Sequence, residues 1–184
     1  FMMENYGAMA TACEKAILID SANAMAHYLY AEACKGQGDD VNTIAMATKA
    51  ISLDSKQGNA YLLRGETYLH TQQLTEAEAD VAWLLEHTED NEDVLLLKAR
   101  IERAATRNDE AIEYFTKAID ANPFSYTAFK ERSEMYSLVG NEAKAKEDAE
   151  RAEELMPTDG KENAEENIEK QLNDKYKQMN PYGF

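Results

Sequence analysis

Small and apolar residues recur along this chain at one long interval, superimposed on the shorter period of a helix. Steps of 34 residues link Ala77, Ala111 and Ala145; Tyr61, Leu95 and Phe129; Ala50, Leu84, Ala118 and Ala152; and Pro123 with Pro157. The same register aligns the small residues Ala31, Gly65, Ala99 and Ser133, and also Ile19, Leu53, His87, Ala121 and Leu155, of which only His87 is not apolar. Turn signals fall inside each interval at Gly36 to Asp40, Thr71 to Gln73, Thr106 to Asp109 and Val139 to Asn141. A second set falls between intervals at Asp54 to Gly58, Glu89 to Glu92, Asn122 to Ser125 and Pro157 to Gly160. Each unit is therefore expected to be a helical hairpin. Small side chains let its two helices approach closely, and large ones such as Tyr61 and Phe129 fill the space beside them. One hairpin cannot bury its own apolar stripe, so neighbours must stack into a solenoid.

Three prolines and eight glycines in 184 residues agree with helix nearly end to end. The 35 acidic against 19 basic residues give a formal charge of -16, which excludes ordinary nucleic-acid binding because phosphate recognition needs a cationic face. No apolar run approaches the ~18 residues that cross a bilayer. Cys13 and Cys34 are too few for a disulfide framework and lack CxxC spacing, which points to a reducing, cytosolic setting.

The segment Tyr126 to Asp159 carries Phe129, Ser133, Tyr136, Gly140, Ala145, Ala149, Ala152 and Pro157, and in these it resembles the tetratricopeptide repeat family. Glu92 to Ser125 matches the pattern with Leu95, Ala99, Ala111, Phe115, Ala118 and Pro123, and Gly58 to Asn91 with Tyr61, Gly65, Tyr68, Ala77 and Val81. Ala24 to Gln57 is looser, with Thr43 where an alanine is usual. The resemblance implies an all-α, right-handed superhelical solenoid with repeats at 24–57, 58–91, 92–125 and 126–159. Residues 1–23 then read as the second helix of a partial repeat, so the chain is expected to begin inside a longer array. Ala164, Ile168, Leu172 and Tyr176 recur every four residues in 160–184, which suggests a capping helix and tail.

Family resemblance further implies a non-enzymatic interaction scaffold that holds a peptide or protein segment against the first helices of its hairpins. No cofactor or metal is expected. Residues at the inward-looking offsets include Tyr28, Leu29, Leu62, Leu63, Glu66, Leu96, Leu97, Arg100 and Lys130. The leucines among them would form an apolar strip facing the groove, or else pack inside the hairpins; the sequence leaves both open. Acids around the strip favour a basic or amphipathic partner. The two-carboxylate clamp of chaperone-binding members is missing, since Tyr28, Glu32, Leu63, Asp93 and Leu97 stand at its places. Two further interaction roles remain, a chaperone for an aggregation-prone client and a docking part of a larger enzyme. Self-association through the tail residues Tyr182 and Phe184 is a third possibility.

The remaining chemistry-bearing residues read as structural. His27, His70 and His87 fall at three different repeat positions without HExxH or Cys-His pairing. Cys13 and Cys34 fit core positions of successive helices, with a redox-labile disulfide as the alternative. Trp83 stands where other units have Lys15, Lys49, Lys117 and Arg151, so it is expected on the outer surface, either as a contact for another protein or lying flat over neighbouring aliphatic stems. Arg64, Lys98 and Arg132 share one repeat position and suggest a recurring, solvent-exposed ion pair worth ~0–1 kcal/mol.

Overall fold

The computed structural model describes residues 2–89 and 91–156, and the candidate capping helix and the tail residues Tyr182 and Phe184 lie outside them. Among the described residues are nine α-helices and no strand. They are α1 (Met2–Ile19), α2 (Ala24–Gly36), α3 (Asp40–Leu53), α4 (Gly58–His70), α5 (Leu74–His87), α6 (Glu92–Ala104), α7 (Asn108–Ala121), α8 (Tyr126–Leu138) and α9 (Glu142–Leu155). The starts of α2, α4, α6 and α8 lie 34 residues apart, as do those of α3, α5, α7 and α9.

Local chemistry sets these boundaries. Side chains of Asn23, Asp39, Asn91, Ser125 and Asn141 cap helix N-termini by accepting from backbone N–H groups two or three residues on. Each hairpin turn closes with the same six-residue C-terminal motif. The N–H groups of Asp39, Gln73, Arg107 and Asn141 donate to the carbonyls of Cys34, Tyr68, Glu102 and Tyr136 at 2.8–2.9 Å. That motif requires a left-handed residue just before the donor, and Gly38, Gln72, Thr106 and Gly140 take φ of 76°, 61°, 60° and 77°. Two of the four places thus hold glycine, and two hold residues that pay for the conformation.

Every helix packs on the next, and α2 also touches α4 as α4 touches α6. No contact of comparable extent joins α3 to α5 or α5 to α7. The first helices α2, α4 and α6 therefore converge on one side while the second helices splay on the other, which curves this part of the stack and makes its first-helix side concave.

Apolar clusters bridge successive hairpins. Ala31 and Ala47 pack with Leu63; Ala77, Val81 and Leu84 with Val94, Leu97 and Ile101; and Phe115, Ala111 and Ala118 with Ala128 and Met135. Burial that joins neighbours makes stability a property of stacking.

The recurring cation is more deeply engaged than a solvent-exposed pair. Arg64 donates to both carboxylate oxygens of Asp80 at 2.8 and 2.6 Å and to Thr48 Oγ1 at 3.0 Å. Arg132 repeats this with Asp148 at 2.7 and 2.8 Å and Thr116 Oγ1 at 3.0 Å. The side chains are only 15% and 4% exposed in the first pair and 15% and 6% in the second. Aromatic residues shield them: each guanidinium lies 5.6–5.7 Å from two ring centroids, Tyr61 and Tyr68 or Phe129 and Tyr136. Lys98 departs from the pattern by pairing with Glu102, which also accepts from Arg107.

Candidate functional site: the concave first-helix face

At the N-terminal end of the concave side, α1, α2 and α4 enclose an open cavity of about 550 Å³ lined by Tyr6, Met9, Tyr28, Glu32, Lys35, Gly36, Asn59, Leu62, Leu63 and Glu66. Of the sequence-predicted groove residues, Tyr28, Leu62, Leu63 and Glu66 meet here. The Tyr28 hydroxyl donates to Glu32 at 2.5 Å, and Lys35 pairs with Glu66 across α2 and α4. Burial, the bond to Glu32 and the charges of Glu32 and Glu66 push the Tyr28 phenol well above its usual range, so it stays a neutral donor.

Farther along, Arg100 grips Glu131 at 2.5 and 2.9 Å, and Arg103 stands 3.3 Å from Glu131 and 3.5 Å from Glu134. These pairs tie α6 to α8. Lys130 is exposed, with its ammonium 5.8 Å from the Tyr126 ring centroid.

The continuous apolar strip is absent. Leu63, Leu96 and Leu97 are buried, and Leu29 and Leu62 are half-buried. The cause is the column of small residues. Leu97 Cδ2 sits 3.1 Å from the place a Cβ on Gly65 would take, so it fills the hole that glycine leaves. Leu63, one interval earlier, clusters with Ala31 in the same way. Leu96 joins the core around Phe115. The next copy of the Leu63 and Leu97 place is Glu131, whose charge Arg100 and Arg103 answer.

Trp83 is likewise not an exposed anchor. It is half-buried in a three-ring stack, with Tyr61 at 3.9 Å and 8° on one side and His87 at 4.2 Å and 7° on the other. His87 Nδ1 donates to the Trp83 carbonyl at 2.8 Å, which holds the imidazole in place. The thiols of Cys13 and Cys34 are free and buried, without a disulfide, and burial pushes both up. His27 is buried with Nε2 donating to the Ser21 carbonyl at 3.1 Å, and His70 pairs with Asp40 at 3.0 Å. Among the described residues no group of three or more His, Cys, Asp or Glu could hold a metal ion, and no helix is long and apolar enough to cross a membrane.

Tyr6, Met9 and Lys35 were not on the predicted groove list. Tyr6 belongs to a second helix that begins four residues earlier than its 34-residue counterparts, and it lies against Gly36: a Cβ there would meet the ring at 2.5 Å. The bare Gly36 was the available signal, since a glycine within a helix marks a close approach.

A family model described as tetratricopeptide repeat matches residues 62–126 and 96–159, more than half of the chain. This chain belongs to the tetratricopeptide repeat family. No curated protein sequence matches it. Among solved structures, the repeat solenoid is similar to a crystal structure of MamA with a TM-score of 0.74 at 18% identity, over 83% of this chain and 89% of that one. A MamA fragment from Desulfovibrio magneticus aligns with a TM-score of 0.71 at 15% identity over 84% and 94%. A tetratricopeptide repeat protein from Parabacteroides merdae gives 0.74 at 19% over 84% of this chain and 60% of its own. At such identities these likenesses speak for the fold alone. Tetratricopeptide arrays are protein-interaction scaffolds, and that general role comes with family membership.

Proposed function

We propose that this array works without covalent chemistry, by holding a segment of a partner protein against its concave first-helix face. The observation that carries the reading is the cavity of about 550 Å³ between α1, α2 and α4, where two tyrosines, an aliphatic wall and two carboxylates converge on open space. The surface beyond it is a ladder of cross-helix ion pairs, so it selects a segment by charge register more than by apolar bulk. A general chaperone role for aggregation-prone clients is less favoured, because burial of Leu63, Leu96 and Leu97 leaves little continuous apolar area to cover them. The overall charge of -16 favours a basic partner over an acidic one.

The test is quantitative affinity capture from native lysate with wild type, Leu62→Glu on the concave side and Glu153→Lys on the outer side. Wild type and Glu153→Lys should recover the same proteins, and Leu62→Glu should lose them while keeping its helical circular dichroism. Equal recovery by a folded Leu62→Glu protein refutes the concave site.

A further inference from the structure

The cavity contains one negative charge that its own walls do not answer. Glu66 is paired with Lys35, just as Glu131 is paired with Arg100 and Arg103, and Glu134 with Arg103. Glu32 differs. It accepts a hydrogen bond from the neutral Tyr28 hydroxyl and takes part in no ion pair among the described residues. With Glu32 and Glu66 negative and Lys35 positive, the lining carries a net charge of minus one. Tyr28 and Tyr6 supply aromatic rings, and Met9 and Leu62 an apolar wall. Asn59 offers an exposed amide at the rim.

From this lining we infer that the cavity is a socket for one arginine side chain, presented by an extended segment of the partner protein, with the guanidinium on Glu32 and the methylenes along Met9 and Leu62. The inference rests on the concave-face reading above and specifies what that face recognises there. A single guest cation brings the lining to neutrality. Arginine suits it better than lysine because a planar, weakly hydrated guanidinium stacks on aromatic rings and keeps in-plane donors for a carboxylate, whereas an ammonium gives up more hydration. The Tyr28 hydroxyl bond fixes the Glu32 carboxylate before the guest arrives, which lowers the ordering cost of binding.

Isotope-labelled protein, titrated by NMR with the probe peptide acetyl-Ala-Leu-Arg-Leu-Ala-amide and its Gln and Lys counterparts, tests the socket. The Arg peptide should shift the Gly36 amide and Leu62 methyl signals saturably and bind about tenfold more tightly than the Gln peptide. Glu32→Gln should remove that advantage and leave the Gln peptide unaffected. Gly36→Ala, whose methyl must displace the Tyr6 ring, should weaken the Arg peptide without touching Glu32. Equal binding of Arg and Gln peptides at these signals overturns the socket but leaves the concave site standing. Lys binding as tightly as Arg overturns the arginine assignment. No saturable shift with the Arg peptide overturns the socket, and the lysate comparison of Leu62→Glu then decides the concave site separately.

Discussion

Thr106 is β-branched and sits at φ 60°, where an L side chain crowds the following carbonyl. The same turn place holds Gln72 at φ 61° and the glycines Gly38 and Gly140 at 76° and 77°. Replacing Thr106 by glycine removes a conformational cost of roughly 1–2 kcal/mol. The freer unfolded chain takes back about 0.5–1 kcal/mol. Thr106 Oγ1 donates to the Ala105 carbonyl at 2.7 Å on an exposed turn, a bond that water replaces at little loss. The expected net is a gain of about 0.5–1 kcal/mol, or roughly 1–4 °C in Tm for a chain of this size. Gly140→Ala is the mirror experiment. An added Cβ there meets nothing within 4 Å, so its cost is the backbone conformation alone, of similar size and opposite sign. Urea unfolding followed by circular dichroism should rank the midpoints Thr106→Gly above wild type above Gly140→Ala, with a common slope. A destabilised Thr106→Gly together with a neutral Gly140→Ala would refute the left-handed turn motif and the boundary argument built on it.

Arg132→Met leaves Asp148 buried without its cation and should cost about 3–5 kcal/mol, most of which Arg132→Met/Asp148→Leu should restore; denaturant midpoints of single and double variants measure this. Glu102 is raised by burial but pulled down further by Arg107 and Lys98, so its folded value lies below the ordinary one. Its contribution is therefore present above about pH 4.3 and is lost as pH falls through the folded value, and the stability gap between wild type and Glu102→Gln should shrink on acidification in pH-dependent urea titrations. Cys13 and Cys34 should resist a thiol-specific reagent in the folded protein and both react once it is unfolded, as measured by absorbance of the released chromophore.

The helical hairpins were legible because small residues at a fixed interval report close helix approach, and that constraint repeats with the geometry. Side-chain direction was less legible. Leu63 and Leu97 occupy inward-looking offsets, yet the small Ala31 and Gly65 one hairpin away open holes that draw them into the core. A first helix is packed by its own partner, by the preceding second helix and by neighbouring first helices, so a wide apolar face there need not mark a binding surface. Gln72 and Thr106 hid their left-handed turns because only glycine advertises positive φ; their place in the interval, shared with Gly38 and Gly140, was the remaining signal. Trp83 lies flat, one of the two readings open in the sequence, but on rings rather than aliphatic stems, since Tyr61 of α4 and, one helical turn on, His87 sandwich the indole. Tyr6 was hard to see in the interval because its counterparts at the starts of the other second helices, Asp40, Leu74, Asn108 and Glu142, share no aromatic character with it.

The central claim is that partners are held on the first-helix side. Site-specific photo-crosslinking tests it most directly, with a benzophenone side chain placed at Tyr28 in one protein and at Glu150 on the outer side in another. Crosslinked partner bands from position 28 and none from position 150 are the predicted result. Bands from position 150 alone would contradict the account.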